Sequence, residues 1–282
     1  MASEQRVDHF LGTTVHVVTS RQDRPNLPVD ECPFCVGGLE APDHYSVKAF
    51  PNRWPALGEG RCEVVLYTPD HDATFSTLGA AGAREVIDLW ADRTTALSDL
   101  DDVEFVLVFE NRGTEVGATI SHPHGQIYAF DHVPSRPARR FTAGWQPDLE
   151  PGDRFVLEHR GWHVSTQFAS VYTIALSIAP TTQLETLADA SDDVRDGLAE
   201  VLVDLFARLD RIHDAPLPYM MWLFQAPSTT TYDQPVWFNI EIVSPWRSQG
   251  IQRFIAAAEV ACEEYFNPVN PADVAEKLRN LG

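Results

Sequence analysis

The chain has 282 residues, 44% of them hydrophobic and 22% charged, which is enough to bury a sizeable core and argues against disorder. Its formal net charge of −20 comes from acidic residues spread along the chain, a field that repels nucleic acid and anionic membrane but still allows small phosphorylated substrates held by a few arginines and backbone amides. Four cysteines make no secreted disulfide scaffold at this length, no apolar run spans a bilayer, and the start MASEQRVDHF lacks the features of a signal peptide, so the expected setting is cytoplasmic.

The first stretch, through about Pro55, is rich in proline and polar residues and predicts irregular chain with short strands. GRCEVVLYT reads as a strand. From Thr74 to about Leu100, the apolar residues Phe75, Leu78, Val86, Leu89, Trp90 and Leu97 recur at roughly helical spacing. VEFVLVFENRG is a nearly continuous apolar strand ended by an Asn/Gly turn, and ISHPHGQIYAF is a further strand. RPARR, from Arg136 to Arg140, reads as a basic surface turn.

The second half repeats this outline. HVSTQFASVYTIALSIAP supplies strands, Leu184 to Asp214 a long helix, and PYMMWLFQAP and PVWFNIEIVSP two more strands. Two helices close the chain, Gln252 to Tyr265 and Pro271 to Leu281, the second with Asn270 as its cap and Pro271 at its start. The expectation is an α+β chain of two repeated units, each an antiparallel sheet with a crossing helix. A single α+β domain without related halves is the alternative.

Two clusters carry chemistry. In CPFC, Cys32 and Cys35 have the spacing that lets two thiolates grip one tetrahedral ion, although a redox pair or chance has the same spacing. His71, just past a strand, and His122 are chemically sound partners for a Cys2His2 zinc site, selected from ten histidines. The sharper feature is HPHGQ. In an extended segment His122, His124 and Gln126 point to one side, and Gly125 removes a side chain beside the nucleophile, where a phosphate could approach. A neutral imidazole can attack an α-phosphorus and later leave, because the phosphorus–nitrogen bond is labile. Gln126 donates a hydrogen bond without acting as a base, which suits transfer better than hydrolysis. Metal ligation or a satisfied core position explains two such histidines equally well. Asn111 in FENRG, and Arg21 and Arg24 in SRQDRP, fit either phosphate contacts or an ordinary turn and a solvated edge.

The ordered series SRQDRP, CPFC, KAFPNRWPAL, a histidine after a strand, FENRG, HPHGQIYA and a terminal NPADVAEKLR resembles the galactose-1-phosphate uridylyltransferase family. That family is the two-repeat branch of the histidine-triad superfamily, and the likeness runs over most of the chain. It implies two histidine-triad-like repeats packed as a pseudo-dimer. Residues 1–160 would hold the zinc site and the nucleophile, and residues 161–282 the acceptor-binding segment. It implies His124 as the nucleotidylated nucleophile with Gln126 as its phosphate-contacting partner, and Cys32, Cys35, His71 and His122 as a structural Zn2+ site. Arg21, Arg24, Asn52 and Asn111 match positions near nucleotide and phosphate, and Arg53 falls where many relatives carry an acidic residue that contacts the nucleoside.

In SQGIQRFIAAAE, the implied acceptor contacts are Arg253 and Glu259. The second half departs from the pattern: WFNIEI, with Asn239 and Glu241, replaces an HLH-like strand, and Phe224 replaces a histidine, so a second metal is not expected. Asn239 and Glu241 then either tie the sheet together or contact a sugar. The implied reaction moves a nucleoside monophosphate, UMP first among candidates, from a nucleoside-diphosphate sugar to a sugar 1-phosphate through a nucleotidyl-histidine, in a homodimer. The altered acceptor segment keeps two alternatives open. One is a phosphorylase or adenylyltransferase using another acceptor such as inorganic phosphate; the other is a non-catalytic zinc-containing nucleotide or sugar-phosphate binding module.

Overall fold

The computed structural model describes residues 4–23 and 32–282. A hairpin of β1 (Glu4–Val7) and β2 (Thr14–Val17) precedes a 3-10 turn at Thr19–Asp23. Nine strands then build one antiparallel sheet: β3 (Lys48–Pro51), β4 (Cys62–Leu66), β5 (Phe105–Arg112), β6 (His124–Phe130), β7 (Phe155–His159), β8 (Trp162–Thr166), β9 (Ile174–Pro180), β10 (Tyr219–Phe224) and β11 (Asn239–Ser244). The helices are α1 (Gly79–Ser98), α2 (Ser135–Thr142), α3 (Asp192–Arg211), α4 (Ala257–Cys262) and α5 (Pro271–Asn280), and β12 (Trp246–Ser248) pairs with β13 (Ile251–Gln252). No helix among the described residues is long and apolar enough to cross a membrane.

The strand order β3-β4-β6-β5-β10-β11-β9-β8-β7 contains the repeat. In the first half β4, α1, β5 and β6 follow one another in sequence and lie as β4-β6-β5. In the second half β9, α3, β10 and β11 do the same and lie as β10-β11-β9. The halves meet where β5 pairs antiparallel with β10, Glu110 opposite Met221 and Asn111 opposite Met220. Two strand–helix–strand–strand units therefore merge into a single sheet: the α+β repeat that the sequence pattern predicts, packed as the pseudo-dimer that the family resemblance implies.

Burial follows the two periodicities. Ala83, Val86, Ile87, Trp90, Ala91, Thr94 and Leu97 recur three and four apart on α1, and Leu198, Val201, Leu202, Leu205, Phe206 and Leu209 do so on α3. Both stripes pack against one face of the sheet, where β5 and β6 contribute Val106, Val108, Ile127 and Ala129. Asp88 and Asp196 accept from Arg84, and Asp88 also from Arg195, so the polar sides of α1 and α3 are joined as well. The opposite face is covered in two patches. Over the first half, the loop after Cys32 brings Phe34, Ala41 and Tyr45 onto Val64 and Leu66. Over the second half lies α2.

Several local features differ from the sequence expectation. RPARR forms α2, because Arg136 and Arg140, one turn apart, both reach the buried carboxylate of Glu241 while Phe141 packs with Phe105, Phe224 and Val236. Glu241 thus ties the sheet to α2. The long second-half helix starts at Asp192, since Leu187–Asp189 form a separate 3-10 turn in which the Thr186 hydroxyl accepts from the Asp189 amide. The helix expected from Gln252 to Tyr265 shrinks to α4. Gln252 is in β13, after a turn in which Gly250 has φ +68°, and Glu263 ends the helix in the left-handed region at φ +54°. The closing helix α5 forms as expected, with the Asn270 side chain accepting from the Ala272 amide.

Candidate active site

Strands β4, β5 and β6 set the site. His124 is the first residue of β6, opposite Leu66 on β4, and Gln126 lies opposite Val64 on β4 and Phe109 on β5. Continuing the β5–β6 register brings Asn111 beside His124. His124, Gln126 and Asn111 therefore share the face turned away from α1 and α3. His122 lies before the strand, outside the extended segment that the sequence suggested, and its side chain turns into a separate cluster.

The His124 ring is fixed by a short contact: its Nδ1 lies 2.7 Å from the carbonyl oxygen of His122. A carbonyl can only accept, so Nδ1 carries the proton and Nε2 carries the lone pair. Phe34 packs against the same ring, with centroids 5.1 Å apart. Next along, the Asn52 amide donates to Gln126 Oε1 at 3.3 Å, which directs the Gln126 NH2 group outward as a donor. Asn52 Oδ1 accepts in turn from the Trp54 backbone amide at 2.8 Å. Arg21 donates to the Tyr128 hydroxyl at 3.3 Å, two residues beyond Gln126 on the same face. Arg53 is half exposed and pairs with Glu40 at 2.9 Å, while Arg24 lies outside the described residues.

Cys32, Cys35, His71 and His122 come together as one cluster, their ligand atoms all within 4.8 Å of one another. Cys35 Sγ is 3.5 Å from His71 Nδ1 and 3.7 Å from His122 Nδ1, and Cys32 Sγ is 3.7 Å from His122 Nδ1. A tetrahedral ion with metal–sulfur bonds of about 2.3 Å and metal–nitrogen bonds of about 2.0 Å sets sulfur and nitrogen roughly 3.5 Å apart, so the donor set fits a metal.

The surroundings point each ligand inward. His122 Nε2 donates to the Thr68 carbonyl at 2.8 Å, which leaves Nδ1 for a cation, and burial holds this imidazole neutral by lowering its pKa. The Tyr45 hydroxyl, its pKa raised by burial, sits 3.0 Å from the same Nε2 and 2.7 Å from the Phe34 carbonyl, closing the loop over the cluster. Burial, followed by the neighbouring Cys32, raises the Cys35 thiol, a bias that a bound cation inverts.

Arg253 and Glu259 are buried and paired with one another, and Glu259 also accepts from the amides of Ala256 and Phe266. They lie in the segment that follows β11.

Two residues outside the sequence reading, Tyr45 and Glu110, prove to belong to this region. Phe34 and Tyr45 support the cluster. Glu110, on β5 beside Asn111, points to the opposite face and is buried; its Oε1 accepts from the Tyr219 hydroxyl at 2.7 Å. Period-two alternation was the available signal, since it places Glu110 with Val106 and Val108 on the buried side.

Burial raises the Glu110 pKa from 4.5 to about 7, and the Tyr219 hydrogen bond, the Arg112 charge and the Tyr67 hydroxyl oppose the rise without cancelling it. A carboxyl with a raised folded-state pKa stabilises the protein fully below its unfolded value, and that contribution is lost as pH rises through the folded value. Between pH 5 and pH 8, wild-type unfolding stability is expected to fall by about 3 kcal/mol more than that of Glu110→Gln. Urea unfolding at both pH values measures the difference, and parallel pH dependences would refute it.

Gly125 has a different role from the one its sequence suggested. A side chain there would point to the helix-covered face and fall on the Tyr67 hydroxyl, with the Phe109 carbonyl at 3.1 Å. The glycine makes room for a tyrosine beneath the strand.

Comparison with known proteins points to one family. The family profile for the galactose-1-phosphate uridyl transferase N-terminal domain matches residues 53–134. A galactose-1-phosphate uridylyltransferase of Streptomyces lividans is 36% identical, covering 99% of this chain and 87% of its own. Another, from Thermotoga maritima, is 32% identical over 98% of each chain. A solved uridylyltransferase structure superposes with a TM-score of 0.89 at 26% identity, covering 99% of this chain and 98% of its own. An ADP-glucose phosphorylase from Arabidopsis thaliana shares the fold, with a TM-score of 0.78 at 22% identity over all of both chains.

Proposed function

The chain belongs to the galactose-1-phosphate uridylyltransferase family, and on that premise we propose that His124 Nε2 carries the nucleotidyl group between donor and acceptor. The protein is a nucleotidyltransferase of that type, with a Cys/His cluster capable of binding a metal beside its reactive histidine. The donor is a nucleoside-diphosphate sugar, UDP-glucose, and the acceptor is a sugar 1-phosphate, galactose 1-phosphate.

The observation that carries this reading is the bond from His124 Nδ1 to the His122 carbonyl, which presents Nε2 as a nucleophile. Nε2 attacks the α-phosphorus, the phosphorus–nitrogen bond forms, and the bond to the bridging oxygen breaks. The sugar 1-phosphate leaves with the electron pair. In the second half-reaction a phosphate oxygen of the acceptor attacks the same phosphorus and the nitrogen leaves. As the ring becomes cationic in the intermediate, the His122 carbonyl stabilises the Nδ1 proton, and Gln126, oriented by Asn52, donates to a phosphoryl oxygen. Arg21, Arg24, Asn52, Arg53 and Asn111 are assigned to the nucleotide and its phosphates.

We assign zinc to the cluster. Two thiolates and two imidazoles suit a borderline-soft tetrahedral ion, and the filled shell gives it a structural role. We take residues 1–160 as the first unit and 161–282 as the second, with α2 and β7 crossing from the first onto the second half of the sheet.

Arg253 and Glu259 are assigned to the acceptor. Their segment leaves β11 at the end of the sheet where His124 stands. The row from His124 through Asn111 and Met220 to Val243 covers three strand spacings, about 14 Å. The apolar side chains exposed on this segment, Phe254, Val260 and Phe266, support a homodimer in which a second copy covers them, and sedimentation reads that state directly.

A panel varying base and acceptor independently tests the substrate assignment. Turnover of UDP-glucose with galactose 1-phosphate is expected. Turnover of ADP-glucose with inorganic phosphate alone would replace it with a phosphorylase.

A further inference from the structure

Beneath the reactive face lies a set of polar groups that the transfer chemistry does not use. Tyr67, just after β4, donates its backbone amide to the Pro123 carbonyl at 3.2 Å, one residue before His124. Its ring packs edge-on against Phe75 and Trp90, and its hydroxyl occupies the space that a side chain at Gly125 would need. By the β5–β6 register, Glu110 is the neighbour of Gly125 on the same helix-covered face.

The Tyr67 hydroxyl and Glu110 Oε2 are both buried, and the phenol lies close enough to act directly on the carboxyl although no well-aligned hydrogen bond joins them. Both residues line one cavity of about 40 Å3, together with His124, Asn111 and Tyr219. The far side is anchored in the second repeat. Tyr219 on β10 holds Glu110 Oε1, the Arg112 guanidinium lies over the Tyr219 ring at 5.7 Å, and Arg112 pairs with Asp210 of α3 at 2.8 Å. Tyr67, Tyr219, Arg112 and Asp210 are the charged or titratable groups that act on this carboxyl and its partners.

We propose that Glu110 and Tyr67, packed together beneath the strand, are positioning residues for nucleotidyl transfer: they hold Gly125 from below and so fix His124 and Gln126 against the bound phosphate. The inference rests on the reading of His124 as the nucleophile. A strand end is where a ladder frays, and β6 begins at His124, so backbone pairing alone gives the nucleophile little restraint. Tyr67 restrains the segment at two points, through its amide to Pro123 and through its hydroxyl against Gly125. Glu110 carries that restraint to the second repeat through Tyr219.

Tyr67→Phe and Glu110→Gln preserve side-chain shape and remove or change the polar link. Mixed with UDP-glucose under single-turnover conditions, each is expected to form the nucleotidyl adduct roughly 10–100-fold more slowly than wild type, the scale of a small misplacement of reacting groups. Donor affinity should stay within about twofold, because neither residue touches the donor. A high-resolution crystal structure of the wild-type protein supplies the second measurement, with the Tyr67 hydroxyl in contact with both Gly125 and the Glu110 carboxyl. Wild-type adduct rates in both variants, a loss confined to donor affinity, or a Tyr67 hydroxyl turned away from Gly125 and Glu110 would each overturn the proposal. The two readings fail differently: absence of any adduct on the wild-type chain removes His124 as nucleophile, whereas a normal wild-type adduct with unaffected variants removes only the support.

Discussion

After mixing with UDP-glucose, the intact wild-type chain should gain the mass of one UMP, and His124→Ala should gain nothing. Turnover in that variant is expected to drop by about 10⁴-fold or more, because no neighbouring group replaces the covalent route. Gln126→Ala makes the complementary case. It retains the nucleophile, so an adduct should still form, but slowly. Loss of one donor to the phosphoryl oxygens costs on the order of 10²–10³-fold in rate. The contrast between a missing adduct and a slow one separates attack from charge stabilisation. Full activity in His124→Ala would rule out the covalent mechanism.

Removing the metal should damage catalysis even though no bond-making step involves it. His122 takes part in both structures: its side chain enters the Cys/His cluster and its backbone carbonyl holds His124 Nδ1. Metal analysis should find about one zinc per chain. Cys35→Ser should lose the metal and free the loop that carries Phe34, which packs on the His124 ring. Activity is expected to fall by roughly 10–100-fold, as when the supports of a site are removed. The melting temperature should fall as well, by roughly 2–4 °C for each kcal/mol lost in a chain of this size. A metal-free variant with normal activity and melting temperature would show that the cluster and the nucleophile are independent.

What could be read from the sequence was chemistry concentrated in short segments. His124 and Gln126 share one motif, and CPFC has a spacing that a tetrahedral ion requires. The repeat was legible because strand and helix periodicities recur in the same order in both halves. His71 is different. It lies 36 residues from Cys35, and only the family resemblance selected it, because spacing cannot choose among ten histidines.

The least legible features depend on contacts between distant residues. RPARR has the composition of an exposed turn, and it becomes a helix because Glu241, 101 residues beyond Arg140, supplies a buried charge for it. Gly125 suggested access for a phosphate, whereas the space it leaves belongs to Tyr67 on a neighbouring strand. Arg253 and Glu259 have the composition of substrate contacts and are engaged with each other. Their assignment to the acceptor therefore requires that substrate, or a second chain, compete with that pair.

The covering of the second half-sheet by α2 bears on how many reactions one chain can run. β11 stands in the second repeat where β6 stands in the first, yet its face is closed by the Arg136 and Arg140 contacts to Glu241, with the Arg140 guanidinium stacked 3.7 Å from the Trp145 ring. Duplication of the fold has not duplicated the workplace. A titration with donor should accordingly saturate at a single modified histidine per polypeptide.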